Sequence, residues 1–178
     1  MNISTVTAQI LGISGLIMTV ISMQCRSNRK FFICQEVSGT LFAASFFMFG
    51  AWGGTLMNFF GIIRPELLRR KEIAKSKWIL AILILLLAGC SAAMVKLSDE
   101  KWYLLFIVAV AQLAGTIAMW TQNGKNIRLV QLFAVSPLWI VYNMLLPVPS
   151  IGGLLTEMIN ITSVILALYR CRKVGFTD

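Results

Sequence analysis

The sequence predicts an all-α membrane protein: seven transmembrane helices, arranged as two parallel three-helix bundles joined by a linker helix. Composition, the alternation of positive charge and a weak internal repeat carry that prediction. The 178 residues are 58% hydrophobic and only 13% charged, where a soluble domain carries about 25% charged residues. Apolar segments fall near residues 6–24, 30–49, 51–68, 78–95, 102–121, 129–147 and 151–169. At about 20 residues per span, seven spans use about 140 residues. Short loops are all that remains, so residues 1–178 read as a single transmembrane domain.

Lys and Arg fall unevenly in the eight tails and loops, with Lys30 and Arg64 counted in the loops they border. In chain order the numbers are 0, 3, 0, 6, 2, 2, 0 and 3, so alternate stretches hold 14 of the 16. Positive residues stay on the cytoplasmic side of a membrane. The pattern therefore predicts a multi-pass membrane protein with the N-terminus outside and the C-terminus in the cytoplasm. The net charge of +9 reads as a cytoplasmic girdle facing anionic headgroups and not as a nucleic-acid surface.

Each element has its own justification. The first segment has no basic residue before it and no small-residue cleavage site ahead of Arg26, so it is expected to span the membrane and not to be a cleaved signal. Trp52, Trp78, Trp102, Tyr103, Trp120 and Tyr169 lie at segment ends, as an interfacial aromatic belt requires. The run Arg69 to Lys77 is the longest loop and reads as a solvated cytoplasmic linker. The fourth segment, Trp78 to Val95, contains no charge. Pro137 inside the sixth segment removes a backbone donor and is expected to kink it, while Pro147 and Pro149 shape the external turn that follows.

Segments one to three and five to seven match in order. Ala8-Gln9 pairs with Ala111-Gln112, Gln35 with Gln131, Gly53-Gly54 with Gly152-Gly153, and Arg69-Arg70-Lys71 with Arg170-Cys171-Arg172-Lys173. This divides the chain into a first bundle (1–71), a linker with the fourth helix (72–97) and a second bundle (98–178). Three is odd, so the fourth span restores the orientation of the second unit. Parallel repeats of this kind build transporters whose site lies at the repeat interface near the midplane.

Ionisable and polar groups inside spans mark candidate sites, since an Asp, Lys or Arg costs about 2.5–3.5 kcal/mol at a helix centre on insertion scales. Glu157 lies six residues into the seventh segment, with Asn160 on the same face and Thr156 and Ser163 extending the strip. Asn58 is the equivalent position in the first unit. Two readings fit: a substrate or proton site, or interhelical polar glue. Trp139 and Asn143 share a face of the sixth segment, as a ring-plus-amide surface for a small solute or as core packing. Glu36 and Arg64 either form an inner gate or extend to the interface. Asn58, Trp139, Asn143, Glu157 and Asn160 are thus the candidate pathway residues, with Glu36 and Arg64 the candidate gate.

Several classes are excluded by absence. The chain has no histidine, which removes His-based catalytic dyads. It has no GxSxG, HExxH or phosphate-binding glycine loop. No enzyme activity, metal or cofactor is expected. Cys25, Cys34, Cys90 and Cys171 lack CxxC spacing and read as plain thiols.

Trp139, Asn143, Ser150-Ile151-Gly152-Gly153, Glu157 and Arg170, with Ala8-Gln9, Gly12 and Asn58, carry a resemblance to the bacterial inner-membrane YgjV family over nearly the whole chain. That family is similar at fold level to the PQ-loop and SWEET transporters. The resemblance implies two three-helix bundles, each with its third helix between the first and second. It also implies a solute pocket lined by Asn of the third helices and Trp of the second. This chain departs in having no Pro-Gln pair and no proline in spans one and five. A glutamate in the pocket suits a cationic or proton-coupled solute better than a sugar.

The reading is a small-solute transporter working by alternating access. The alternative is a non-transporting receptor or accessory protein. The expected partners are the lipid bilayer, a small polar or cationic solute, and a proton; a homo-oligomer is compatible with the sequence. Cysteines placed at Ser4, Ser98 and Ser150 should label from outside, and those at Ser27, Ser76 and Asn123 only from the cytoplasm. Cytoplasmic labelling at Ser98 would overturn the seven-span topology.

Overall fold

Helix α1 (Ile3–Gln24) sorts its side chains by size. Ile10, Ile13, Ile17 and Ile21 form an exposed stripe, while Ala8, Gly15 and Ser22 are buried at seven-residue spacing. Large apolar groups outward and small or polar groups inward is the reverse of a soluble helix and suits a hydrocarbon solvent. The computed structural model describes residues 3–50, 52–74, 76–97, 101–145, 151–172 and 175–176. Ser98, Asp99, Glu100, Pro147, Pro149 and Ser150 lie outside the described residues.

The other elements are α2 (Asn28–Met48), α3 (Trp52–Arg69), the short α4 (Lys71–Ala74), α5 (Lys77–Leu97) and α6 (Trp102–Trp120). After these come α7 (Gly124–Val130), a π-helical stretch (Gln131–Val135), α8 (Ser136–Leu145) and α9 (Ile151–Arg170). The described residues contain no strand. Five helical segments are long and apolar enough to cross a membrane: Ile3–Gln24, Asn28–Met48, Lys77–Lys96, Trp102–Trp120 and Gly124–Leu145. Trp52, Trp78, Trp102 and Tyr169 are exposed at helix ends.

Helices adjacent in sequence are adjacent in space. Helix α2 packs on α1 and α3, α5 on α3 and α6, α8 on α6 and α9, and α9 closes the sequence against α1. Among α1, α2 and α3 the middle helix is therefore α2, and among α6, α8 and α9 it is α8. The order implied by the transporter resemblance, with the third helix in the middle, is corrected.

The reason is visible in the seams. Only Cys25 to Ser27 separate α1 from α2, and so short a link makes antiparallel neighbours. Side chains of α2 then bond the backbone of α1: the Ser38 hydroxyl donates to Gly15 O at 2.8 Å, and the Ser45 hydroxyl to Ala8 O at 2.7 Å. Thr19 and Ser38 hydroxyls lie 2.6 Å apart, and Gln35 Nε2 donates to Ser22 Oγ at 2.6 Å. Such bonds contribute about 0.6 kcal/mol each inside a membrane protein. Between α2 and α3, Pro65 supplies no N–H to the Gly61 carbonyl. A Cβ at Gly39 would lie 3.3 Å from that oxygen, so glycine lets the two backbones meet.

Pro137 leaves a mark of a different kind from a simple kink. The residue four before it, Phe133, lies within the π-helical stretch. Widening the helix there relieves the clash between the proline ring and the i−4 carbonyl.

The charged end is clamped by Arg128, which is fully buried. Its Nη2 donates to Cys25 O at 2.7 Å and to Ser22 O and Met23 O at 3.3 Å, and its Nη1 to Gly124 O at 3.0 Å. The guanidinium stacks on Phe31 at 5.0 Å and on Phe176 at 4.4 Å. It thus satisfies carbonyls at the negative end of α1. Arg170 also donates to Gln24 O, and Gln24 Nε2 donates to Ser163 O at 2.7 Å.

Replacing Arg128 by Met strands those carbonyls, and is expected to cost about 3 kcal/mol. Arg128→Lys should recover part of the loss, and Arg172→Met, at an exposed position, should be neutral. Unfolding in mixed detergent measures all three.

Candidate functional site

Helices α8 and α9 run antiparallel and meet along a polar seam. Asn143 is buried on α8 and donates from Nδ2 to Trp139 O at 2.7 Å. Its amide occupies the space a Cβ would take at Gly153 on α9. Two turns along α8, Ser136 is fully buried and lies within hydrogen-bonding reach of Glu157, as does Asn160. Glu157 is 8% exposed and Asn160 5%. The oxygens Glu157 Oε2 and Asn160 Oδ1 are buried and receive no hydrogen bond from the described residues. The Trp139 ring packs edge-on against Tyr142 with centroids 5.4 Å apart.

Three of the seven candidate residues therefore share one seam, Asn143, Glu157 and Asn160; Trp139 accepts from Asn143 through its carbonyl and packs its ring on Tyr142 of its own helix. Asn58 stands elsewhere. It donates to Gly54 O of its own helix at 2.8 Å, and α3 packs on α2, α5 and α6. Among the described residues α9 packs chiefly on α1 and α8, and α3 chiefly on α2 and α5. The two gate candidates are also apart. Glu36 faces Arg69 at 3.5 Å, and Arg69 and Arg70 both bind Glu66, the latter at 2.9 Å. Arg64, only 8% exposed, does not extend to the interface. It turns to α6, where Nη1 donates to Gln112 Oε1 at 3.0 Å and Thr116 Oγ1 at 3.3 Å, and its guanidinium lies 5.6 Å from the Phe60 ring centroid.

One pairing at the seam carried no signal in the sequence. Gln131 Nε2 donates to Ser136 Oγ at 3.0 Å. In an α-helix, residues five apart point about 140° away from each other. The π-helical stretch brings them together, and spacing rules for α-helices do not find such a pair.

Two clefts lie at the charged end. One of about 920 Å³ is lined by Gln122, Asn123, Lys125, Arg172 and Phe176 among others. A second of about 590 Å³ is lined by Asn28, Arg29, Glu66, Arg69 and Arg70. Gln122 lines both and donates from Nε2 to Leu68 O at 2.9 Å, in a left-handed conformation with φ of 56°. None of the seven candidates is among the described residues lining either cleft.

The family model Imp-YgjV, described as a bacterial inner membrane protein, matches residues 6–174, and the chain belongs to that family. No match is found among curated proteins or among solved structures.

The fit of Asn143 against Gly153 is testable by a double-mutant cycle. Gly153→Ala should cost about 2 kcal/mol by overpacking. In an Asn143→Ala background the same substitution should cost little, giving a coupling of about 1 kcal/mol or more. Additive losses in detergent unfolding would contradict the packing.

Proposed function

We propose that this Imp-YgjV family member is a non-enzymatic small-solute transporter of the bacterial inner membrane. Its seven spans form two three-helix units that move against each other, with the N-terminus outside and the C-terminus in the cytoplasm. The observation that carries this reading is the burial of Glu157 and Asn160 with one oxygen each, Glu157 Oε2 and Asn160 Oδ1, that no described donor meets, although Ser136 and Asn160 reach the Glu157 carboxylate. Interhelical glue is satisfied glue: a buried polar group gains only when it is paired. Unmet acceptors in a polar seam fit a site completed by something else, namely a proton or a polar solute.

The neighbouring π-helical stretch strengthens the reading. Such stretches cluster at functional sites, because the widened turn leaves main-chain groups loosely held. The paired segments support two units. In each, a second-helix side chain fills the space beside a glycine that opens the third helix: Phe46 against Gly54, and Asn143 against Gly153. Helix α5 packs on α3 and on α6, as a joiner of the two units should.

Flux decides between this reading and a receptor or accessory protein. Proteoliposomes holding a pH-sensitive dye would be challenged with small carboxylates, amines and zwitterions, one class at a time. At least one class should drive solute-dependent proton movement. Glu157→Gln should abolish that movement yet retain counterflow of labelled solute, because the amide keeps the hydrogen-bonding shape. No flux with any class would overturn the transporter reading. Unchanged proton movement in Glu157→Gln would remove Glu157 from coupling.

A further inference from the structure

Arg64 has a use that the pathway reading does not supply. It sits on α3 five residues before Arg69, the last residue of that helix, which is about 7.5 Å deeper into the membrane. A snorkelling arginine would turn back to the charged end. This one reaches Gln112, eight residues before the end of α6 at Trp120, and so about 12 Å from that end. The guanidinium therefore lies between α3 and α6, one of the places where the two units touch.

Its charge has no partner. Among the described residues no carboxylate lies within 4.0 Å of it, since the ion pairs there use Glu36 and Glu66 with Arg69 and Arg70. Gln112 and Thr116 offer neutral oxygens only. A buried, unneutralised guanidinium costs several kcal/mol, and that cost persists in a fold only where something else is gained.

The way the donors are divided shows what is gained. Nη1 is engaged by the Gln112 amide oxygen and the Thr116 hydroxyl. Nε is buried without a partner, and among the described residues Nη2 makes no hydrogen bond. Nε–H and Nη2–H form one edge of the planar guanidinium. That edge is the fork that takes two oxygens of a carboxylate or phosphate in parallel bonds. The Gln112 and Thr116 contacts hold the opposite corner and fix the plane, so the fork is pre-oriented.

We propose that the Nε–Nη2 edge of Arg64 binds an oxyanion, and that the transported solute carries a carboxylate or phosphate group. Only the word "transported" rests on the function proposed above; the binding site stands or falls by itself. A lipid phosphate has the same chemistry. The depth of the guanidinium favours a free solute, and the experiment separates the two.

The full chain, with nitrogen-15 arginine, would be placed in nanodiscs of phosphatidylcholine alone and of phosphatidylcholine with phosphatidylglycerol. Acetate, inorganic phosphate and the neutral isostere acetamide serve as probes. One Nε–H resonance, identified by its loss in Arg64→Lys, should shift saturably with millimolar acetate or phosphate and not with acetamide. The acetate affinity of Arg64→Lys, read by thermal shift, should fall about tenfold, since a point charge loses one of two parallel bonds. Three results would overturn the proposal: no shift with either anion, an equal shift with acetamide, or undiminished affinity in Arg64→Lys. A resonance displaced by phosphatidylglycerol and then deaf to acetate would assign the fork to lipid and overturn the solute. Should Arg64→Lys fail to fold, the titration of the unaltered chain still decides. Anion binding without flux would sink the transporter reading and leave this site intact.

Discussion

The closure of the helix ring depends on how the carbonyl end of α1 is satisfied. In a bilayer, backbone groups that lack partners cost several kcal/mol each, and helix ends carry four such carbonyls. Here α1 ends among partners from two other helices: Arg128 of α7 and Arg170 of α9 donate to its carbonyls, and the Gln24 side chain donates to Ser163 of α9. The interaction does two things with one set of bonds. It terminates α1, and it fastens the last helix to the first. The buried cation costs desolvation, which four carbonyls and two aromatic rings offset. Because Phe176 covers the outer face of that cation and also abuts Gly124, the end of the chain belongs to the same clamp.

Much of the fold was legible because membrane insertion writes it into composition. Seven apolar segments correspond to seven long helical rods, if α7, the π-helical stretch and α8 are taken as one. Their bounds fall close to those set by charges and aromatics, since both mark the interface where helices end. What the pattern could not reveal was neighbour order. Hydropathy reports which residues meet lipid, but contact partners depend on where hydroxyls such as Ser38 and Ser45 find carbonyls. A resemblance in the number of helices does not transfer that detail.

The candidate site was legible by half, for a similar reason. Helical spacing correctly grouped Glu157 with Asn160 and Trp139 with Asn143, because those pairs lie on one α-helical face. It could not report that α8 and α9 share a seam, nor that Asn58 bonds its own helix. Charge counting placed Arg128 in the cytoplasmic girdle, where an arginine is usually solvated. Only its surroundings separate it from Arg172: one is fully buried, the other exposed. Gln131 with Ser136 was hidden because the helix there is not an α-helix.

Arg64 and Glu157, neither in an ion pair among the described residues, belong to different seams with the π-helical stretch between them. Val135 ends that stretch near Gly115, which also lies beside Arg64, while Ser136 next along the chain faces Glu157. A bulge in the backbone is softer than regular helix, so a change at one seam can be felt at the other without a rigid lever. The charges are complementary in what they need. An anion would neutralise Arg64, and a proton would neutralise Glu157. If an oxyanion and a proton occupied them together, each would lose its desolvation penalty and the pair would cross the membrane with no net charge. Occupancy by one alone would leave the other charge uncompensated in a region of low dielectric. Coupling of that kind needs no contact between the two side chains, only that the state able to move be the one in which both charges are cancelled.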